Sequence, residues 1–327
     1  MTGVRDVTTP ALPTQILQVH NGGTTPLTIT ALTVGGTDKA TFKITSSPQL
    51  PASLAAGASL AVTVQASTAT GSVPPAPVQN SGAALAIATL TATAGAVTAQ
   101  ANLYDLVLTS PTHEPTLGEI LTTLGYNKIN VGVAQNDANP ISPSDASQLP
   151  KGIEAGTDEV AGQLFTKAGP GNVTMAEVAR FSPKGPMPFG WYPMGSPTTH
   201  NMAGIMATIP SDTQNNQTGQ NSEGARMVLS PVTGSQSFDP GATTFGLYVY
   251  SDQLSQKYDT GGTASNGDYD YSEDAPNSPP GTHRTKVYPL KDATGALVAN
   301  TYLVAVEEAG NGDYQDYVFV LGNVKAQ

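Results

Sequence analysis

Short apolar runs that alternate with polar residues, and stop at a glycine or proline, recur from residue 15 to the end of the chain. Alternation of period two puts every second side chain on one face, the pattern of a half-buried strand. The frequent stops leave little room for a long helix. With 34 Gly and 26 Pro among 327 residues, turn chemistry is supplied throughout. Charged residues make up only 12%, against roughly 25% in ordinary globular proteins. The pattern predicts an all-β chain built from many short strands.

Residues 1–13 carry Pro10 and Pro13 and no periodicity, and read as an N-terminal arm. Runs at 16–19, 27–34, 42–44, 60–64, 86–92 and 97–103 follow. Their number and spacing predict an immunoglobulin-like sandwich over residues 14–105, with a first turn at His20-Asn21-Gly22-Gly23 and a Pro-rich loop at 71–82. Residues 106–131 read as a connector with one short helix at 115–124. Thr116 and Glu119 have capping-box spacing, Leu117, Ile120, Leu121 and Leu124 share a face, and Gly125 supplies the stop. Beyond it, runs at 203–209, 225–229, 245–250, 285–290, 301–306 and 317–324 predict a jelly-roll-like sandwich over 132–327, with long loops.

A net charge of −11 with only 14 basic residues disfavours nucleic acid and acidic membrane surfaces as partners. No apolar run approaches the ~18 residues of a spanning helix. Cysteine is absent, which excludes disulfides, thiolate metal sites and a cysteine nucleophile. His20, His113, His200 and His283 lack the close spacing of a zinc site. No nucleophile elbow, phosphate loop, His-Glu-x-x-His or dinucleotide fingerprint is present, so the chain does not read as an enzyme. Low lysine with abundant Thr and Gly suits an extracellular or cell-surface setting. The start of the chain has no signal-peptide core, so that setting implies a leader outside this sequence.

The densest polar stretch lies near the C-terminus. Glu307, Glu308, Asn311, Asp313, Gln315 and Asp316 fall within ten positions and run straight into the apolar segment 317–321. Carboxylates beside a buried strand are costly unless something positive neutralises them. No Lys or Arg occurs between Lys291 and Lys325. The expectation is therefore a bound calcium ion, with Glu307, Glu308, Asn311, Asp313 and Asp316 as ligands. In a regular strand Asp313 and Asp316 point to opposite faces. One ion thus needs a bend at Asn311-Gly312 or a strand that begins after Asp316. A second acidic stretch, 268–274, reads as a solvated loop. Trp191, Tyr248 and Tyr250 are candidate stacking faces for a sugar, although a lone tryptophan in a sandwich more commonly belongs to the core.

Two resemblances extend this reading. QVHNGGTTPLTITALTVGG at 18–36, FKIT at 42–45, LPASLAAGASLAVTVQAS at 50–67 and IATLTATAG at 87–95 resemble the choice-of-anchor D (Hydin-type) immunoglobulin-like domains of bacterial surface proteins. NGDYQDYVF at 311–319 resembles the Asp-x-Asp-Phe-Asn-Asp-x-Val-Phe signature of a domain of unknown function in calcium-dependent bacterial adhesins. Asn311 stands where that signature opens with Asp, and Gln315 where it has Asn. The resemblances imply a non-catalytic extracellular bacterial surface protein with a structural or adhesive role, its C-terminal domain stabilised by calcium, as a subunit of a filament or other assembly. The alternative is a carbohydrate-binding module of a secreted polysaccharide-active protein. Expected partners are a surface glycan and a second copy of the chain, reached by the arm adding to a neighbour's sheet edge.

Overall fold

The computed structural model describes residues 2–6, 14–66, 83–108, 116–133, 154–155, 157–180, 186–207, 232–251, 268–278, 280–308 and 314–327. Among the described residues the fold is all-β with one short α-helix, and the chain divides into two compact units that part between His113 and Glu114. Among the described residues, no helix is long and apolar enough to cross a membrane.

The first unit holds β1 (Thr2–Asp6), β2 (Thr14–His20), β3 (Leu27–Ile29), β4 (Ala31–Gly35), β5 (Phe42–Ser46), β6 (Ala52–Leu54), β7 (Ser59–Ala66), β8 (Ala83–Ala94) and β9 (Val97–Leu108). One sheet has the order β2-β7-β5, the other β1-β9-β8-β4, and β3 pairs with β6 as a separate ribbon. In immunoglobulin lettering these sheets are B-E-D and G-F-C, with β1 running parallel to the last strand. Period-two alternation builds the core between them. Leu60, Val62 and Val64 of β7 are buried and meet Ala86, Ala88, Leu90 and Leu103.

Two expectations are corrected here. The run 27–34 is not one strand: β3 pairs with β6, and after Thr30 the chain changes partner so that β4 pairs with β8. Residues 2–6 are not a free arm, because β1 lies in register along β9, Thr2 opposite Tyr104. Adding this segment to a neighbour's sheet would first require it to leave its own. Residues 7–13 lie outside the described part.

The turn after β2 is held by one amide. Asn21 is 1% exposed, and its Nδ2 donates to the carbonyls of Thr25, Leu54 and Ala55 at 2.9, 3.0 and 3.1 Å. Its Oδ1 accepts from Gly23 N at 3.0 Å. One side chain thus supplies partners to four backbone groups where no ladder reaches them.

The second unit opens with α1 (Leu117–Leu124), whose N-cap Thr116, reciprocal Glu119 and left-handed Gly125 match the sequence expectation. Next come β10 (Gly132–Val133), β11 (Glu154–Ala155), β12 (Phe165–Lys167), β13 (Val173–Arg180), β14 (Met187–Pro193), β15 (Asn201–Met206), β16 (Val232–Thr233), β17 (Ser237–Phe238) and β18 (Phe245–Ser251). The last are β19 (Asp268–Tyr271), β20 (Thr285–Lys291), β21 (Leu297–Val306), β22 (Tyr317–Gly322) and β23 (Val324–Ala326). One sheet has the order β16-β15-β14-β18-β12-β23, with β19 also on β18; the other runs β17-β13-β22-β21-β20. Phe165, Phe189, Phe245 and Leu247 of the first pack with Met175, Val304, Tyr317, Phe319 and Leu321 of the second. The expected strand at 225–229 lies outside the described residues. The run 317–324 splits at Asn323, whose φ of 63° lets the chain leave β22 in one sheet and enter β23 in the other.

Replacing Asn21 by Ala strands several buried backbone groups, each worth about 1–3 kcal/mol. Denaturant unfolding of Asn21→Ala is expected to show a loss of about 3 kcal/mol, against about 1 kcal/mol for removing the helix cap with Thr116→Ala. Equal losses for the two variants would contradict the role given to Asn21.

Candidate functional site

The register of three antiparallel strands assembles the C-terminal acidic site. Thr285 of β20 faces Val306 of β21, and Val306 faces Tyr317 of β22. Arg284 therefore stands beside Glu307, and Glu307 N donates to its carbonyl at 2.8 Å. The Arg284 side chain is buried. Its Nη1 donates to Glu308 O and its Nη2 to Ser278 O, both at 3.1 Å, while Nε lies 3.6 Å from Asp270 Oδ1.

Glu307, Glu308 and Asp316 are all buried, and each carboxylate is turned to a donor of the chain itself. Glu307 Oε2 accepts from Tyr314 N at 3.1 Å. Asp316 Oδ2 accepts from Glu308 N, and Glu308 Oε2 accepts from the Tyr317 hydroxyl. Tyr314 has a left-handed φ of 55°, and its hydroxyl donates to His283 O at 2.8 Å. Burial pushes the Tyr314 phenol well above the usual tyrosine range, with Glu307 adding to the effect. Lys286 Nζ sits 4.9 Å from the centre of the Tyr314 ring and 3.1 Å from Glu159 Oε2.

β22 begins at Tyr317, directly after Asp316, which is one of the two geometries a shared ion requires. Asn311, Gly312 and Asp313 lie outside the described residues. Among the described residues no three acidic or histidine side chains are grouped so as to hold a metal ion. Arg284, which sequence reading missed, precedes the acids by more than twenty positions and comes beside Glu307 only through strand pairing.

The stretch 268–274 is corrected from a solvated loop. Its first half is β19, in which Tyr269 pairs with Tyr250 and Tyr271 with Tyr248. Alternation turns Asp270 away from these rings, and it is buried toward Arg284. The tyrosines gather with His200 on one face of the sheet. His200 stacks on Tyr269 at 3.8 Å, and its Nε2 lies 3.0 Å from the Tyr271 hydroxyl. Burial lowers the proton affinity of His200 and pushes the Tyr248 phenol up to about 12. Trp191 does not join them. It pairs across from Leu247 and packs on the opposite, inner face, stacked on Phe238 at 5.4 Å. Trp191, Tyr248 and Tyr250 therefore do not make one sugar platform: Trp191 is half-buried against the core on the inner face, Tyr248 is buried, and Tyr250 is half-buried on the other face.

One buried acid was not singled out from the sequence. Glu177 of β13 pairs with Phe319 and is 9% exposed. Neither of its carboxylate oxygens accepts a hydrogen bond. Burial raises its pKa from 4.5 to about 7, opposed by the positive charge of Arg180. The folded chain therefore holds this proton more tightly than the unfolded chain, and stability falls as pH rises from 4.5 to about 7. Glu177→Gln is expected to match the parent at pH ~5 and to exceed it by about 1–3 kcal/mol at pH ~8, read by denaturant unfolding. A difference that does not vary with pH would contradict this.

No protein-family model matches the chain, and no curated protein matches it. Solved structures to which it is similar include the VesB protease of Vibrio cholerae, at 17% identity over 33% of this chain and 31% of that one, with a TM-score of 0.22. The secreted serine protease VesC from Vibrio cholerae is 9% identical over 98% of this chain and 48% of that one, with a TM-score of 0.25. The YadV chaperone is 9% identical over 82% of this chain and 95% of that one, with a TM-score of 0.22. The chain thus spans less than half the length of either protease. The expectation that it is not an enzyme is corrected by this finding, since serine proteases stand among its structural neighbours. At TM-scores of 0.22 and 0.25 the likeness carries no activity over to this chain.

Proposed function

We propose that the chain is a structural and adhesive module of the bacterial cell surface, and that calcium bound at residues 307–316 stabilises its C-terminal unit. The observation that carries this reading is the burial of Glu307, Glu308 and Asp316 directly before β22, a central strand of its sheet. An ion gripped at the foot of that strand would act on the core of the unit. Asn311 and Asp313 are the residues to add oxygen ligands to the described acids, as the resemblance to the calcium-dependent adhesin domain implies. Hard oxygen donors of this kind suit calcium.

The immunoglobulin-like unit fits the same role. Its buried amide Asn21 holds a turn, a structural use that suits a spacer or adhesive domain. The resemblance to choice-of-anchor D domains supports an extracellular placement.

The test is a pair of thermal melts, one with EDTA and one with millimolar calcium. Calcium at about ten times its dissociation constant adds about 1.4 kcal/mol, so the C-terminal transition is expected to rise by about 3–6 °C. Asp313→Asn should remove most of that rise. Identical melts in chelator and calcium would overturn the calcium part of the proposal.

A further inference from the structure

His283 sits just before β20, between two carboxylates from different segments. Its Nδ1 is 2.9 Å from Asp274 Oδ1, in the turn that follows β19, and its Nε2 is 3.6 Å from Glu159 Oε1. Gln163 completes the enclosure: its Nε2 lies 3.3 Å from His283 Nδ1, and its Oε1 accepts from Asp274 N at 3.1 Å. The stretch 157–164 that carries Glu159 and Gln163 has little ladder support. Its two ends are tied by Asp158, which accepts from Asn130 N and pairs with Lys291 at 2.6 Å, and by Leu164 O, which accepts from Gln327 N at 2.8 Å. Val160 makes a single bridge to Val287, with Val160 N donating to Val287 O at 2.9 Å.

We propose that His283 is a proton-dependent clamp, which in its protonated form fastens the stretch 157–164 to the turn between β19 and β20 and releases it when the proton is lost. A neutral imidazole can serve Asp274 with one N–H but carries no charge for Glu159; the imidazolium donates to Asp274 and forms an ion pair with Glu159. Losing the proton also leaves Glu159 and Asp274 facing each other across an uncharged ring.

Other groups around the ring do not replace that charge. Lys286 of β20 contacts Glu159 at 3.1 Å but not Asp274. Arg284 is turned the other way, to Asp270, Ser278 and Glu308. Tyr314, ahead of β22, lies 6.0 Å from the imidazole ring centre and donates its proton to His283 O. Glu307 is occupied with Tyr314 N. Glu159 and Asp274 raise the proton affinity of His283 above the ordinary histidine value, against the opposing effect of burial. Burial in turn opposes ionisation of Glu159, but His283 and Lys286 outweigh it and hold its carboxyl below the usual range. For a base whose folded pKa is raised, the stabilisation is complete below the unfolded pKa of about 6.5 and is lost as pH rises through the folded value.

The experiment uses the full chain carrying Glu177→Gln, so that the second buried proton does not contribute. NMR titration of the histidine rings, with His283 assigned by its loss in His283→Gln, is expected to place His283 above the ordinary 6.5. Hydrogen exchange at the Val160 and Asp274 amides, corrected for the intrinsic pH dependence, should lose protection by up to about tenfold per pH unit through that titration, the limit for one proton. Protection in His283→Gln should be low and flat with pH. A His283 ring that titrates at or below the ordinary value would overturn the proposal, and that reading needs no variant fold. The same fall in protection in His283→Gln would overturn it equally.

Discussion

A single guanidinium ties three segments of the C-terminal unit together and supplies a positive charge to one buried acid, Asp270. Arg284 lies across Glu308 O, Ser278 O and the carboxylate of Asp270, joining the end of β21, the turn after β19 and β19 itself. An ionised carboxylate taken out of water costs several kcal/mol unless a charge or strong donors meet it. The antiparallel register of β20 on β21 sets Arg284 beside Glu307, while Lys286 pairs with Glu159. Backbone donors at Tyr314 and Glu308 and the Tyr317 hydroxyl take up further lone pairs. Tyr317 links the two regimes, with its ring in the sandwich core and its hydroxyl on Glu308.

The same economy recurs wherever the ladders stop. Asn21 in the first unit, Asn277 after β19 and Asn323 between β22 and β23 each place an amide where several carbonyls lack strand partners. Asn277 Nδ2 serves Tyr271, Glu273 and Thr282, and its Oδ1 takes Tyr271 N. In a chain with long loops and few charges, such neutral amides satisfy backbone groups without the desolvation cost of an ion. Glu177 stands apart, because its carboxylate is buried with no donor and can stay there cheaply only by keeping its proton.

Much of this was legible from residue order, for physical reasons that can be named. Period-two alternation in β7 and β18 showed their buried faces, and Thr116, Glu119 and Gly125 marked the helix ends because capping is local chemistry. The Asn21 turn was visible as His20-Asn21-Gly22-Gly23, though not the carbonyls it serves. Non-local facts escaped. Nothing within 307–316 reveals that Arg284 will lie beside it, since that depends on which strands pair. The tyrosines of β19 read as loop because Asp268 and Asp270 interrupt them with acids, yet Asp270 is buried where a cation awaits it. Trp191 and Tyr248 could be told apart as core and outer face only once Trp191 was matched to Leu247 and Gly190 to Tyr248.

Charge compensation from within the chain is most directly tested by a double-mutant cycle on the Arg284–Asp270 contact, using Arg284→Met, Asp270→Asn and both together. The buried pair predicts a coupling free energy of at least about 1.5 kcal/mol in denaturant unfolding, with the double variant less destabilised than the sum of the singles. Additive losses, with a coupling near zero, would contradict the pairing of Asp270 with Arg284.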